Sequence, residues 1–494
     1  MRQLNLNQEK RQAIGLTYVL DSVETASPLS RKTLLRLEYF TEEDRQARIR
    51  YFQYMKRLNE VRTSSKRSWS DARTALSDLR DIMPVLKKLD AQIRLDVADL
   101  HTLKKHVCLE ESLHAAPELL TAAGISLTDH TRVLTLLHGN RSMEDLYPVR
   151  LALSDFDDVE LANARRRLAD LQLVLATTHE PYIESALTRV KEAEAEVILL
   201  SEKSLSWLED SLRPFVHSLL QNQEKMIDLD LKMSKLLLTA SPYSEAPRLD
   251  ASRLYFKEVF HPEEKARLER SGLTFTPLDI SVTSGLTLIT GANMSGKSVA
   301  LNTVLLNVLL VNLGFYPFAK EASVPLFAAY DRIGDIRGDR SQGLSTFGTE
   351  VVAIKKLITL AENEKALVVI DEPFRGTNPE EGKLLTSGLS SHLSDQPSFV
   401  LLATHYELKK ERAYRHYVSG DIDLPQDQPE DEKEAIRLLS KHVDYRLKEV
   451  SEGVRSSQRA IEIAGWLGLQ KDILSAVERL RLQEEVEDGN AQTE

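Results

Sequence analysis

Residues 285–298 read GLTLITGANMSGKS, and the architecture of the second half of the chain follows from that stretch outward. GLTLIT (285–290) is an apolar run of strand length, as a sheet covered on both faces requires. Gly291, Ala292, Asn293, Met294, Ser295, Gly296, Lys297 and Ser298 then match G-x-x-x-x-G-K-[ST], and the helical run SVALNTVLLNVLL begins at Ser298. Strand, glycine loop and helix in that order are the setting a phosphate loop needs. Glycines let the backbone curl so that its N–H groups point inward, and the helix N-terminus adds positive potential. In such a loop Lys297 reaches the β- and γ-phosphates and the Ser298 hydroxyl ligates Mg²⁺. The stretch marks a nucleotide site.

Two further apolar runs, ALVVID (366–371) and FVLLATH (399–405), alternate with helical patterns, which predicts a parallel βα arrangement. Asp371 ends the first of them, 74 residues after Lys297, in the position to hold Mg²⁺ directly or through water. Glu372 follows, placed to polarise a water that attacks the γ-phosphate. His405 ends the other run, where an imidazole orders that water or hydrogen-bonds the γ-phosphate. Ser345 and Thr346, in GLSTF, precede the helical pattern TEVVAIKKLITLA. They read either as the cap of that helix or as groups that meet a nucleotide across a dimer interface.

Upstream the character changes. Of 20 glycines only Gly15, Gly124 and Gly139 precede residue 250, so the first half reads as mostly helical and the second as loop-rich α/β. The proline-bearing segment TASPYSEAPRLD (239–250) is the expected boundary. Ile183, Leu187, Val190 and Val197 fall at helical spacing, and helices of about 20–30 residues should begin near Pro181 and Pro214. They form either a lever or an ordinary bundle. The acidic 421–434 stretch reads as a solvated insertion, residues 455–483 as two short amphipathic helices around GWLGLQ, and 485–494 as a disordered tail.

The 494 residues carry 64 basic and 75 acidic side chains, a formal charge of −11, and 42% are apolar. That share excludes wholesale disorder, and the length suits two to four domains. No stretch approaches the roughly 20 uninterrupted apolar residues of a membrane helix. No secretory signal is visible, and with the lone Cys108 a cytoplasmic location is expected. Residues 31–67 hold eleven basic and five acidic side chains near Tyr39, Tyr51, Tyr54 and Trp69. They read either as a nucleic-acid contact or, preferably, as a solvated helix face with its aromatics turned inward. His101, His106 and Cys108 fit no metal-ligand spacing, and a buried thiol with surface imidazoles is the expectation.

Taken together, TGANMSGKS (290–298), GLSTFGTEVV (343–352), LVVIDEPFRGTNPEEG (367–382) and LLATHYEL (401–408) resemble the MutS family of DNA-mismatch-repair ATPases. EGVRSSQRAIEIAGWLGLQKDILSAVERL (452–480) resembles the family's terminal helical hairpin, and ETASPLSRKTLLRL (24–37) the opening of its helical core. The resemblance implies a multidomain chain. A helical core/lever region would occupy 1–245, an ABC-type P-loop ATPase domain 250–425, and a strand with a helical hairpin for dimerisation 435–484. It implies ATP and Mg²⁺ held by Lys297, Ser298 and Asp371, with Glu372 as base and His405 on the γ-phosphate. Ser345 and Thr346 would contact ATP of a partner, in a homodimer or a heterodimer with a related subunit. Phe275, in FTPL (275–278), is the candidate for stacking on adenine. Ala292 and Ser295 stand where the family usually has proline and glycine.

No counterpart of the family's mismatch-reading domain is recognised, since Phe40 and Glu42 in LEYFTEED lack its glycine-rich context. The implied function is therefore an ATPase that moves helical arms on DNA, reading structure or general duplex. The alternative is a protein remodeller such as a reactivating factor for an adenosylcobalamin-dependent aminomutase.

Overall fold

The computed structural model describes residues 2–138, 158–239, 245–250, 252–292, 295–334, 346–406, 408, 415–422, 438, 443–449, 460–477 and 479–480. They form two compact units, one of Met1–Val23, Leu37–Gln53 and Leu237–Glu494, the other of Glu24–Arg36 and Tyr54–Leu236. Residues 1–23 and 37–53, which glycine content assigns to the helical half, thus group with the nucleotide-loop half.

The chain opens with β1 (Arg2–Gln3) and α1 (Gln8–Ala13), whose cap Asn7 accepts from the Lys10 N–H. β2 (Glu38–Tyr39) pairs antiparallel with β1. The reading of the first half as mostly helical gives no sign of this ribbon, because two-residue strands carry no periodic signal. In α2 (Arg45–Ser64) the basic stretch turns partly inward. Arg48 is 1% exposed, lies 4.6–4.7 Å from the ring centres of Phe40, Tyr51 and Phe52, and donates to the Val311 carbonyl. Of the four aromatics that the solvated-face reading turns inward, Tyr39 and Trp69 are buried and Tyr51 and Tyr54 half-buried, and Phe40 of the wedge-like spacing is taken up by Arg48.

The described secondary-structure elements of the second unit are all helices. Asp96 starts α3 (Val97–His114) with a capping box, and Leu100, Leu103 and Val107 of its inner face join Leu134, Leu208 and Leu212 in one core. Asp158 caps α4 (Val159–Thr177). α5 (Ile183–Leu212) starts two residues after Pro181, and Pro214 sits in the single turn before α6 (Val216–Thr239), so both proline boundaries hold. α4 and α5 pair antiparallel, with Arg167 3.3 Å from Glu196 and the Ser204 hydroxyl on Asp158. Ile183 and Leu187 of the apolar periodicity are exposed, as are Leu173, Ile198 and Trp207. Cys108 is buried as expected, but His106 is buried too, 3.3 Å from Glu110, which corrects the surface-imidazole reading. Glu110 also meets His130 at 2.7 Å and Asn222 at 3.0 Å. Burial works to raise the Glu110 carboxyl, and hydrogen bonds from His106 and His130 outweigh it and hold the group below its ordinary value.

Back in the first unit come β3 (Arg253–Val259), α7 (Pro262–Arg270), β4 (Leu278–Thr283), β5 (Gly285–Thr290), α8 (Lys297–Leu313), β6 (Glu321–Ser323) and β7 (Ala329–Ile333). After them follow α9 (Thr346–Asn363), β8 (Ala366–Asp371), α10 (Pro379–Leu393), β9 (Phe399–Thr404), β10 (Arg415–Ile422), β11 (Val443–Glu449) and α11 (Ala460–Trp466). The six-stranded sheet runs β11-β10-β5-β9-β8-β7; all neighbours are parallel except β11 with β10. β5, β8 and β9 are the three apolar runs, buried almost residue for residue as a doubly covered sheet demands. A second sheet, β4-β3-β6, is antiparallel. β10 extends through Ile422, so residues 421 and 422 of the expected insertion are strand; residues 423–434 and the 485–494 tail lie outside the described residues. Two short helices, α11 and residues 471–477, flank Gly468 as expected, and Gly465 faces Leu474.

Candidate nucleotide site

The loop between β5 and α8 is shaped by two close approaches. A Cβ on Gly291 (φ +152°) would fall 2.2 Å from the Ser419 carbonyl oxygen, and one on Gly296 (φ +87°) 3.0 Å from the Tyr445 ring. Only glycine suits both positions. Lys297 opens α8 with 5% exposure; its Nζ donates to the Gly291 and Ala292 carbonyls, 2.9 Å each, and lies 3.5 Å from Glu372 Oε1. Burial lowers the affinity of Lys297 for its proton, and Glu372 opposes that. Ser298 is exposed beside it, while Ser295 is buried with its hydroxyl unpartnered. The Ser419 hydroxyl donates to the Ser295 carbonyl at 2.7 Å, so β10 supports the loop from behind. Asn293 and Met294 lie outside the described residues.

Asp371 closes β8 with its Oδ1 buried and without a hydrogen-bond partner. Burial pushes its carboxyl above the ordinary value, against the pull of the Ser298 hydroxyl and of Arg332. Next to it, Glu372 and Phe374 hold left-handed backbone, φ +48° and +61°, a conformation that costs about 1–3 kcal/mol each for residues with side chains. Two bonds keep the turn in place. The Glu372 N–H donates to the Ala403 carbonyl of β9 at 2.9 Å, and the Phe374 N–H to Glu350 Oε1 of α9 at 2.6 Å. The Glu372 carboxylate, 18% exposed, thereby faces Lys297, then Arg375 Nη1 at 3.5 Å and His405 Nδ1 at 3.9 Å. His405 is 39% exposed at the end of β9.

The fold thus brings Lys297, Ser298, Asp371, Glu372 and His405 together at the carboxyl ends of β5, β8 and β9. Phe275 is different: at 9% exposure it is packed inside the protein, with little ring surface left for a base. Ser345 and the Thr346 side chain lie outside the described residues. Three contributors escape the sequence reading. Tyr445 packs on Gly296 from β11, Glu350 holds the turn after Glu372, and Arg332 stands 3.9 Å from Asp371. Each is brought in by a strand or helix far along the chain, so no local spacing announces it.

The residues fit a divalent cation, since a buried carboxylate oxygen without a donor, beside a serine hydroxyl, is a hard-oxygen site that lacks its charge partner. Among the described residues no group of three or more His, Cys, Asp or Glu forms a protein-only metal cage, and no helix is long and apolar enough to cross a membrane.

A family model described as MutS domain V matches residues 287–482. The DNA mismatch repair protein MutS of Thermus aquaticus is 31% identical over 237 residues, 46% of this chain and 26% of that protein. That of Natronomonas pharaonis is 35% identical over 164 residues, 32% and 18% respectively. The Endonuclease MutS2 of Halothermothrix orenii is 29% identical over 301 residues, 59% of this chain and 34% of that protein. The chain therefore spans between 18% and 34% of these relatives. With the match running from β5 through the phosphate loop to the residues after α11, residues 287–482 of this chain belong to the MutS family as its domain V.

Proposed function

We propose that the chain is an ATPase whose nucleotide cycle moves the α4–α5 arm of the helical unit, and that it works on DNA. The observation that carries the reading is the convergence on one spot of Lys297, the donor-free Asp371 oxygen and a Glu372 carboxylate ringed by three basic groups. In this reading Lys297 leaves the Gly291 and Ala292 carbonyls for phosphate oxygens. Its departure frees Glu372 to accept a proton from the attacking water, and His405 orients that water. Ser298 and Asp371 would hold Mg²⁺, which neutralises charge on the β- and γ-phosphate oxygens. Tyr445, rather than the buried Phe275, offers an aromatic face beside the loop for the nucleoside. Ser345 and Thr346 would reach ATP held by a second copy or a related subunit, with residues 435–484 contributing to that dimer.

The relatives named for mismatch repair and for an endonuclease favour DNA over a protein client. The test is binding of duplex and branched DNA by the ATP-loaded Glu372→Gln protein at physiological salt. Affinity that falls steeply with added salt supports phosphate contacts. Absence of binding to every DNA overturns the DNA reading and leaves the ATPase to a protein client.

A further inference from the structure

Arg332 has no role in the scheme above, yet four segments of the chain fix its guanidinium beside Asp371. It is the penultimate residue of β7, in register with Val369, so it shares a face of the sheet with Asp371 two residues on. Its Nη2 lies 3.9 Å from Asp371 Oδ2, with the two side chains 14% and 10% exposed. Its Nε donates to Asn302 Oδ1 at 2.8 Å. Asn302 lies five residues along α8 from Lys297, and its own Nδ2 donates to the Ala13 carbonyl at the end of α1, 3.1 Å away. Lys10 of α1 forms an ion pair with Asp331, the residue before Arg332. Gly334 leaves the room the guanidinium needs, because a Cβ there would fall 2.5 Å from Nη1. A positive charge so held, next to the carboxylate that fits a divalent cation, acts on whatever cation comes to that carboxylate.

We propose that Arg332 is a positioning residue that serves as the resident counter-charge of Asp371, opposes cation binding there, and so sets the Mg²⁺ concentration that nucleotide binding requires. The proposal rests on the reading of Asp371 as the metal-holding carboxylate. A fixed guanidinium repels a doubly charged ion a few ångströms away, and partial burial keeps water from screening it fully. The tie through Asn302 to α1 makes this setting depend on the N-terminal segment as well.

The experiment is a Mg²⁺ titration of fluorescent-ADP binding by the full chain, with Mn²⁺ binding in the presence of ADP followed by electron paramagnetic resonance. Arg332→Gln should lower the Mg²⁺ concentration for half-maximal binding about ten-fold and tighten Mn²⁺ in parallel. Arg332→Lys, which keeps the charge, should stay within about two-fold of the unchanged protein. Asn302→Ala, which releases Nε, should shift the requirement the same way as Arg332→Gln by about three-fold and serves if Arg332→Gln folds poorly. An unchanged or higher Mg²⁺ requirement in the neutral variants overturns the proposal. Asp371→Asn separates the two readings: if it leaves the Mg²⁺ dependence intact, the metal assignment itself fails.

Discussion

The contact between Gly420 and Ser295 makes the phosphate loop sensitive to a single methyl group on a neighbouring strand. Gly420 sits at the bulge of β10 with φ +74°, and a Cβ there would lie 2.3 Å from Ser295 Cβ, 2.8 Å from its Cα and 3.1 Å from its carbonyl oxygen. Ordinary contact begins at 3.4 Å, so Gly420→Ala forces the loop or the strand aside by about 1 Å. Two effects should separate. The left-handed backbone costs roughly 1–2 kcal/mol of fold stability, read as a lower unfolding midpoint. The displaced loop costs on the order of 100-fold in nucleotide affinity or turnover, the usual penalty for a 1 Å misplacement of a binding group. Ser295→Gly in the Gly420→Ala background removes the nearest atom. It should recover at least ten-fold of the affinity and leave the stability loss in place. Fluorescent-nucleotide titration and thermal unfolding of the four proteins complete the cycle. Nucleotide affinity of Gly420→Ala equal to the unchanged protein, or no recovery in the double variant, would refute the argument that β10 sets the loop.

Other outcomes follow from contacts already described. Lys297→Ala should abolish measurable nucleotide binding or turnover, checked by equilibrium titration and phosphate release. Glu372→Gln should bind ATP and turn over about 10²–10⁴-fold more slowly, the usual contribution of a general base; wild-type turnover would remove that assignment. Burial raises the Glu350 carboxyl despite the Phe374 N–H, so its folded value lies above the unfolded one. The ionised group therefore weakens the fold at neutral pH, and stability returns as pH falls through the folded value. Glu350→Gln lacks this dependence, so its denaturant midpoint should be the higher at neutral pH and the gap should close on acidification. Glu110→Ala, which strips His130 and Asn222 of their shared acceptor and removes the carboxylate 3.3 Å from His106, should cost about 3–5 kcal/mol of the helical unit's stability in chemical denaturation.

Much of the nucleotide half is legible because its signals are local. An apolar run and a glycine loop place β5 and α8, and a carboxylate pair closing a second run places Asp371 and Glu372. Prolines 181 and 214 likewise announce helix starts, since a ring without an N–H is tolerated only there. Long-range closure is what the sequence hides. The β1–β2 ribbon is too short to show a period, and a basic stretch gives no hint that Arg48 turns inward onto three rings and a helix-end carbonyl. The family resemblance offers Phe275 as the adenine platform, yet its ring is buried, while Tyr445 reaches the loop from 149 residues beyond Gly296. Arg332 and Asn302 sit thirty residues apart and meet only because a strand and a helix end side by side.

The grouping of residues 1–23 and 37–53 with the C-terminal half has a consequence for how a ribosome delivers this protein. Residues 1–23 and 37–53 are synthesised well before several of their partners in the same unit. Arg48 awaits the Val311 carbonyl, Tyr39 the Ala328 carbonyl and Lys10 Asp331. At about 5–20 residues per second, the intervening ~260–320 residues take on the order of 15–60 s to synthesise. Throughout that time Phe52, buried in the finished protein, lacks the Tyr316 ring it packs against. The helical unit, nearly contiguous in sequence, can fold meanwhile. A nascent chain stalled before residue 300 should therefore be a chaperone client through residues 1–23 and 37–53, and release of that client should coincide with completion of β7.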